Sequence, residues 1–213
     1  MFLDILKKFP INFLIIFKYN QSIIIFKELL IVKFIKEFLK NPRNVGAIAP
    51  SSKYLSNKIV ENINFRDCKC IVEYGAGTGI FTEKVINRKS EDTLLLVFES
   101  NIIFYKELHY RYINKKNVKI INDGAENIKI YLEKYNILEV DYIISGLPFT
   151  SLPLNISQNI LENTKRVLKE NGLFITFQYS MIKRNFFMHY FPNIDVDKVM
   201  LNVPPAYILK CSQ

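Results

Sequence analysis

Three glycines at alternate positions follow an acidic residue at the end of an apolar run. The segment reads Glu73-Tyr-Gly75-Ala-Gly77-Thr-Gly79. Because glycine has no side chain, such a loop can turn tightly and lie close to a ligand. Its Gly-x-Gly-x-Gly spacing differs from the Gly-x-Gly-x-x-Gly of dinucleotide sites, so no pyrophosphate site is indicated. The segment predicts a ligand site, whose chemistry depends on the residues that follow.

A second acidic residue ends the next apolar run. Leu94–Phe98 is followed by Glu99, which lies 24 residues after Gly75. A carboxylate at this position can accept hydrogen bonds from both ribose hydroxyls of an adenosine. The glycine loop and Glu99 together predict an adenosine-containing cofactor, with Thr82 and Ser100 as further contacts.

A third apolar run ends in Asp123-Gly124-Ala125. The Asp123 carboxylate could accept a hydrogen bond from an adenine amino group, with the backbone amides of Gly124 and Ala125 nearby. It could equally cap the next helix, because aspartate is a favoured N-cap residue. Both roles stay open at the level of the sequence.

The apolar runs have the length of strands, and helical patterns separate them. The predicted strands are Cys70–Tyr74, Leu94–Phe98, Val118–Ile121, Val140–Ser145, Leu173–Tyr179 and Tyr207–Cys211. The predicted helices are Phe81–Asn87, Ile102–Tyr112, Ala125–Tyr135 and Ile156–Lys169. Such alternation predicts an α/β fold with a mostly parallel sheet, helices on both faces, and ligands at the carboxyl ends of the strands.

The order Glu-Tyr-Gly-Ala-Gly-Thr-Gly, then Glu99, then Asn-Asp-Gly-Ala resembles the successive motifs of class I S-adenosylmethionine methyltransferases. The resemblance covers residues 43–211. It implies S-adenosylmethionine as the cofactor and a Rossmann-like, seven-stranded sheet whose last strand is reversed. It also implies that Glu73 and the three glycines flank the methionine part of the cofactor.

Three further stretches resemble the bacterial phospholipid N-methyltransferases that act on phosphatidylethanolamine. They are Val45-Gly-Ala-Ile-Ala-Pro50-Ser51-Ser52, Ser145-Gly146-Leu147-Pro148-Phe149 and Asn202-Val-Pro204-Pro205-Ala206. In that family the first stretch follows a membrane-binding helix, the second closes the fourth strand, and the third lies near the end. The Phe-Thr-Ser after Leu-Pro departs from the family pattern at the headgroup pocket. Each stretch taken alone could also be a simple turn or helix cap.

This resemblance implies transfer of the methyl of S-adenosylmethionine to the headgroup amine of a membrane phospholipid, phosphatidylethanolamine or its methylated forms. The candidate catalytic residues, which would orient the amine, are Ser145, Leu147 through its backbone, and Tyr179, whose ring face attracts a methylated cation. Ser145 and Gly146 are also expected beside the cofactor. The expected substrate contacts are Ser51, Ser52, Pro148, Phe149 and Tyr179. No metal site is predicted.

A ribosomal RNA adenine N6-methyltransferase is the second function that stays open. Such enzymes have Asn or Asp before a Pro-Pro-aromatic or Leu-Pro-aromatic ending, and the aromatic ring stacks on a flipped base. Here Ser145, with Gly146 added, stands at the acceptor position, and Phe149 is a candidate stacking residue. A catalytically inactive cofactor-binding protein at the membrane is a third alternative.

The N-terminal arm is apolar and basic. Residues 1–60 carry nine Lys and one Arg against three acidic residues, a net charge of +7. Residues 21–41 predict an amphipathic helix, which the following proline ends. The uncharged runs of the arm are too short to span a bilayer, and its lysines match an anionic membrane surface. A helix that caps the domain core, with solvated lysines, is the alternative.

The sequence therefore predicts two parts, a membrane-associating helical arm over residues 1–42 and a methyltransferase domain over residues 43–213. Binding to an anionic membrane surface is expected through residues 1–40. Residues 61–213 carry a net charge of only +2, which disfavours a nucleic-acid partner. The sequence carries no signal for an oligomeric state.

Cysteine content and the N-terminus bear on location. Cys68, Cys70 and Cys211 are odd in number, which excludes a complete disulfide framework and fits a reducing compartment. No small-residue cleavage site follows the N-terminal apolar segment. We expect a cytoplasmic protein bound peripherally to the inner face of the cell membrane.

Overall fold

The computed structural model describes residues 53–200 and 205–213, and in this part of the chain strands and helices alternate. The strands are β1 (Cys70–Tyr74), β2 (Leu94–Phe98), β3 (Val118–Ile121), β4 (Val140–Ser145), β5 (Leu168–Gln178), β6 (Asn193–Val199) and β7 (Ala206–Ser212). The α-helices are α1 (Lys53–Val60), α2 (Ile80–Ile86), α3 (Ile102–Tyr112), α4 (Ile128–Lys134), α5 (Leu154–Val167) and α6 (Arg184–Met188). A 3₁₀ turn, Ala125–Asn127, precedes α4.

Within the described residues the strands form one seven-stranded sheet in the order β3-β2-β1-β4-β5-β7-β6. Neighbours from β3 to β5 pair in parallel, whereas β7 runs antiparallel to both β5 and β6. The predicted Rossmann-like methyltransferase sheet with a reversed last strand is confirmed. The strand order changes direction between β1 and β4, which is where ligands bind in such sheets.

Alternate residues of each strand point into two separate apolar layers. On β1, Cys70, Val72 and Tyr74 join the layer that α4, α5 and α6 cover, while Ile71 joins the layer that α1, α2 and α3 cover. All five residues of β1 are buried, because the strand is central and covered on both faces. Helices on both faces are thus confirmed, and the central strands are held firmly enough to position the loops at their ends.

The predicted bounds of β1 to β4 and of α3 are those of the structure. β5 begins earlier than predicted, at Leu168, because Leu168 already pairs with Val140, and an irregularity separates this pair from the regular pairing that starts at Leu173. The chain also forms β6, α1 and α6, which the sequence patterns did not predict. β6 is mostly exposed and pairs with β7, so it lacks the apolar run that marks a central strand.

Several predictions lie outside the described residues. These are the arm over residues 1–42 with its helix over 21–41, the stretch that contains Ser51 and Ser52, and residues 201–204. Among residues 53–200 and 205–213, every helix is too short or too polar to cross a membrane.

Candidate cofactor site and active site

The glycine loop leaves β1 at the carboxyl edge of the sheet and leads into α2. Gly75, Gly77 and Gly79 have φ values of 66°, 56° and 83°, a left-handed conformation that favours glycine. The amide nitrogens of Gly75 and Ala76 both donate to the carbonyl oxygen of Phe98, at 2.8 and 3.3 Å. The glycine loop therefore crosses the carboxyl end of β2 and lies next to Glu99, the residue that follows β2.

Glu99 meets the glycine loop, although 22 residues separate the bonded pair in the chain. Its Oε2 accepts a hydrogen bond from the Gly77 amide and its Oε1 from the Asn101 amide, both at 2.7 Å. The side chain is only 6% exposed, and this burial raises its pKa against the lowering effect of the two amides. Each oxygen keeps a second lone pair, so the carboxylate can still accept from a ribose diol.

Glu73 and Thr82 lie beneath the loop and bond to each other. The Thr82 hydroxyl donates to Glu73 Oε2 at 2.8 Å, and both side chains are fully buried. Glu73 Oε1 has no hydrogen-bond partner in the described part of the chain. Burial raises the Glu73 pKa to about 8, against the lowering effect of the Thr82 hydroxyl. The pair supports the loop from below, and contact of either residue with the cofactor stays a prediction.

Asp123 follows β3 and is half-buried. Both oxygens of its carboxylate accept hydrogen bonds from neighbouring residues. Oδ1 accepts from the Gly124 amide and the Asn127 side chain, and Oδ2 accepts from the Tyr131 hydroxyl. Burial raises the Asp123 pKa, but these three donors outweigh it and the net pKa is lowered. Asp123 is therefore ionised and rigidly oriented, and the N-cap of the next turn is Gly124 rather than Asp123.

The exit of β4 lies directly against the glycine loop. The Gly146 amide donates to the Tyr74 carbonyl oxygen at 2.9 Å, and a Cβ on Gly146 would lie 2.7 Å from the Gly75 carbonyl oxygen. A Cβ on Gly75 would lie 2.6 Å from Leu147 Cδ2. The two loops can thus approach this closely only with glycine at both positions.

Ser145 ends β4 and is almost fully buried. Its Oγ accepts from the Leu147 amide at 3.2 Å, and its carbonyl oxygen accepts from the Thr176 hydroxyl. The Ser145 side chain shapes the turn that carries Leu147 and half-buried Pro148 along the carboxyl edge. Direct contact of these three residues with a substrate stays a prediction.

The structure corrects the expectation that Phe149 contacts the substrate or stacks on a base. Phe149 is 0% exposed. Its ring packs edge-to-face against Phe174 and Phe187, with centroids 6.2 and 5.1 Å away. An apolar ring gains more from this aromatic cluster than from solvent, so the residue after Leu-Pro belongs to the core.

Tyr179 and Ser100 lie at the same edge of the sheet. Tyr179 follows β5 and is half-buried, with its ring edge-to-face on Phe177 at 5.7 Å. Ser100 is exposed directly after Glu99, and its carbonyl oxygen accepts from the Asn122 side chain. Because β1 to β5 are parallel, their carboxyl ends lie at one edge of the sheet. The predicted site residues at these ends therefore lie at the same edge.

Residues that the sequence patterns did not single out also hold the site. The Asn101 side chain accepts from the amides of Ile103 and Phe104 and so caps α3, a role that asparagine before a helical pattern can signal. Arg111 donates to the Thr78 carbonyl oxygen at 3.2 Å and pairs with Glu107. No sequence signal marks Arg111, because 33 residues separate it from the loop that it contacts.

Comparison with known proteins places the chain in a family. Residues 50–188, well over half of the chain, match the family described as ribosomal RNA adenine dimethylase. The chain belongs to this family. It is an S-adenosylmethionine-dependent N-methyltransferase, as the resemblance to class I methyltransferases and to phospholipid N-methyltransferases implies.

Two kinds of curated relative match this chain, and they differ in how much of each chain the match covers. An ornithine lipid N-methyltransferase of Singulisphaera acidiphila is 29% identical over 84% of this chain and 93% of its own length. Ribosomal RNA small subunit methyltransferase A of Borreliella burgdorferi is also 29% identical, over 61% of this chain and 45% of its own length. The chain thus spans less than half of that ribosomal enzyme.

Solved structures of methyltransferases share the fold. A precorrin-6y C5,15-methyltransferase from Geobacter metallireducens superposes with a TM-score of 0.59 and 12% identity, over 75% of this chain and 86% of that one. A Streptococcus mutans protein in complex with SAH superposes with a TM-score of 0.56 and 15% identity, over 75% and 96%. At these identities the likeness establishes the fold alone.

The residues present fit S-adenosylmethionine. Glu99 keeps acceptor capacity for a ribose, ionised Asp123 can accept from an adenine amino group, and Gly75 and Gly146 leave room for close backbone approach. Glu73 also keeps an unpartnered oxygen beneath the loop. When bound, this cofactor supplies a methyl group already activated on sulfur, so the chain's own residues mainly bind and orient the two reactants.

Proposed function

We propose that this N-methyltransferase transfers methyl groups to the headgroup amine of a membrane lipid, with phosphatidylethanolamine or its methylated forms as the substrate. One observation carries the proposal. The match to the ornithine lipid N-methyltransferase runs along 93% of that enzyme and 84% of this chain, so it extends beyond the conserved cofactor motifs. A shared substrate class explains a match over the whole length better than a shared cofactor alone.

The carboxyl edge of the sheet supports a small amine rather than a flipped base. Base-modifying enzymes read the extruded base by polar contacts and by stacking between side chains. Here Ser145 replaces the amide or carboxylate acceptor, and Phe149 is buried in the core. A headgroup amine needs no stacking partner, because it is small and flexible.

The second candidate is methylation of adenine in ribosomal RNA, which the family match over residues 50–188 favours. Against it, the chain covers 45% of the Borreliella burgdorferi ribosomal enzyme. Residues 61–213 also carry a net charge of only +2, which supplies few cations for RNA phosphates.

The proposed reaction requires a neutral amine aligned with the methyl group. An ethanolamine amine is mostly protonated at neutral pH, so the site must accept a proton before transfer. The carbonyl groups around Gly146 and Leu147, the Ser145 hydroxyl and the Tyr179 phenol are the groups proposed to orient the amine. The Tyr179 ring would then attract the cationic product.

The N-terminal arm is proposed to bind an anionic membrane, which places the protein at the cytoplasmic face. Residues 1–42 carry seven Lys against three acidic residues, a net charge of +4, and this supports the proposal because each basic residue near an anionic leaflet adds about 1 kcal/mol. Replacing Lys33, Lys36 and Lys40 together by Glu in the full chain should weaken vesicle co-sedimentation at least about 100-fold, since three positive charges become negative. Unchanged cofactor affinity in that variant is the control for folding.

A direct transfer assay tests the proposed substrate. The full-length protein is incubated with methyl-labelled S-adenosylmethionine and, separately, phosphatidylethanolamine vesicles, ornithine lipid vesicles and a ribosomal RNA transcript. We expect label in phosphatidylethanolamine. Glu99→Ala serves as the inactive control, and Glu91→Ala, at an exposed surface carboxylate, serves as the active one.

The outcomes separate the candidates. Label in ornithine lipid alone would keep a lipid amine as the substrate class and overturn phosphatidylethanolamine. Label in RNA with none in either lipid would overturn the proposal in favour of adenine methylation.

A further inference from the structure

The loop that follows β5 exposes an apolar side chain at the carboxyl edge of the sheet. We call residues 179–183, which precede α6, the β5–α6 loop; it contains Ile182, whose side chain is 84% exposed. Because β4 and β5 are parallel, this loop leaves the sheet at the same edge as Ser145 and the glycine loop. A single exposed apolar side chain is common on protein surfaces, so its meaning depends on the residues around it.

The charged residues of this loop and of the sequence stretches that flank it are of one sign. Lys183 and Arg184 are the only Lys, Arg, Asp or Glu residues in the sequence stretches 145–161 and 171–194. These stretches include the loops that leave β4 and β5. No carboxylate in either loop would therefore repel an anionic surface, and two adjacent cations would attract one.

The loop rests on a buried aromatic support. The Arg184 amide donates to the Met181 carbonyl oxygen at 2.9 Å, and the Ile182 amide donates to Ser180 Oγ at 3.2 Å. Lys183 Nζ lies 5.1 Å from the centre of the Phe186 ring, which packs on fully buried Phe187. Ile182 is thus presented on a loop that the core holds in place.

We propose that the β5–α6 loop is a second membrane contact, in which Ile182 enters the interfacial layer of an anionic phospholipid bilayer. Lys183 and Arg184 then lie at the lipid phosphates, and exposed Leu154 at the start of α5 adds apolar surface at the same edge. This contact sets the methyl-transfer site against the lipid headgroups. The inference rests on the proposed lipid substrate.

Tryptophan fluorescence tests the insertion directly, since the chain contains no Trp. Ile182→Trp in the full chain should shift its emission to the blue on phosphatidylglycerol-containing vesicles and be quenched by lipids brominated on the acyl chain. The matched control is Leu138→Trp, at a 94% exposed position just before β4 at the opposite edge. Its emission should not change.

A double charge-reversal variant tests whether Lys183 and Arg184 contribute to membrane binding. Lys183→Glu with Arg184→Glu should weaken vesicle affinity at least about 10-fold, because two attractive charges become repulsive. The matched control reverses Lys165 and Arg166, an adjacent pair at the end of α5 on the opposite edge. Both double variants should keep wild-type affinity for S-adenosylmethionine.

These readouts do not depend on catalysis, so they are separate from the methyl-transfer assay. A protein that methylates lipid while Ile182→Trp stays unshifted would overturn the loop contact and leave the proposed function standing. Absence of vesicle binding, or a shift with RNA but not with vesicles, would also overturn it. A shift without any lipid methylation would support the loop contact and count against the substrate.

Discussion

Asp141 at the amino edge of the sheet differs from Glu73 and Glu99 at the carboxyl edge in how fully its oxygens are hydrogen-bonded. At the amino edge, Asp141 Oδ2 accepts from the amides of Lys69 and Cys70, both at 2.8 Å, and Oδ1 pairs with the Lys169 ammonium. Burial raises the Asp141 pKa, but Lys169 and the two amides outweigh it and the net pKa is lowered. This carboxylate ties the starts of β1, β4 and β5 together.

At the carboxyl edge, Glu73 and Glu99 are buried more deeply and satisfied less fully, whereas half-buried Asp123 accepts three hydrogen bonds. Glu73 has one oxygen without a partner in the described part of the chain, and burial raises its pKa to about 8. Glu99 accepts two backbone amides, yet burial still raises its pKa. Neighbouring donors therefore satisfy the structural carboxylate Asp141, whereas Glu73 and Glu99 are buried with fewer hydrogen bonds, at a cost in stability.

The largest effect is expected from Glu99→Ala. Loss of two charge-assisted hydrogen bonds to a ribose should weaken binding of S-adenosylmethionine at least about 100-fold. Isothermal titration measures the affinity, with Glu91→Ala as the control at an exposed carboxylate. Unchanged affinity would contradict the ribose assignment.

Gly146 lies at the carboxyl edge and Gly172 near the amino edge, and replacing either by Ala creates a similar steric clash. The two substitutions therefore show whether the two edges respond differently. A Cβ on Gly146 would lie 2.7 Å from the Gly75 carbonyl oxygen, and one on Gly172 would lie 2.9 Å from the Asp141 carbonyl oxygen. Each change to Ala should lower the free energy of unfolding by about 3 kcal/mol, because backbone must move.

Only Gly146→Ala should also weaken cofactor binding, by about 10-fold, since it separates the β4 exit from the glycine loop. Urea denaturation and titration at a temperature where both variants are folded measure the two effects. An equal loss of affinity in Gly172→Ala would mean that the carboxyl edge has no special role.

Glu73→Gln should stabilise the protein by about 2–3 kcal/mol at pH 7. The pKa of Glu73 is about 8 in the folded protein against an ordinary value of 4.5. Between these values the unfolded chain ionises while the folded one stays protonated, so wild-type stability falls as the pH rises. The variant should lack this decline in urea denaturation.

The same variant tests whether Glu73 contacts the cofactor. A stabilised protein with wild-type cofactor affinity would make Glu73 a support for the loop alone. A large loss of affinity would assign it the direct contact that the sequence motif implies.

The smallest effect is expected from Asp141→Asn, which should lower the free energy of unfolding by about 1–2 kcal/mol at pH 7. Because the folded pKa is lowered, this contribution is present above the ordinary carboxyl pKa and lost as the pH falls through the folded value. The difference from wild type should therefore shrink at low pH, with cofactor affinity unchanged. A difference that is constant with pH would contradict the ionised pair.

The central elements could be predicted closely because local pattern and tertiary environment agree there. β1 to β4 are mostly apolar runs followed by polar or glycine residues, so their bounds are visible in the sequence. β6 is a mostly exposed edge strand that contains Asp195, Asp197 and Lys198, and it carries no such run. Its pairing depends on β7, which a local pattern does not reveal.

Some residues of the candidate site could likewise be predicted from the sequence, and others could not. Gly75, Glu99 and Asp123 could be selected from the sequence because parallel strands deliver their ends to one edge. Phe149 was wrongly predicted to contact the substrate, because the sequence Leu-Pro-Phe does not show whether the aromatic ring faces solvent or the core. Arg111 and Ile182 were missed because their roles depend on what lies beside them in space.

By itself, the sequence determined the fold class and the order of the site's parts, because periodic apolar runs and glycine spacing are local properties, while the cofactor followed from the resemblance of its motifs to those of class I methyltransferases. Only the tertiary structure decided which side chains are buried at that site. It placed Glu73 under the loop with Thr82, Phe149 in an aromatic cluster and Ile182 in solvent. Burial depends on packing between residues far apart in the chain, and it also decides which carboxylates hold their protons.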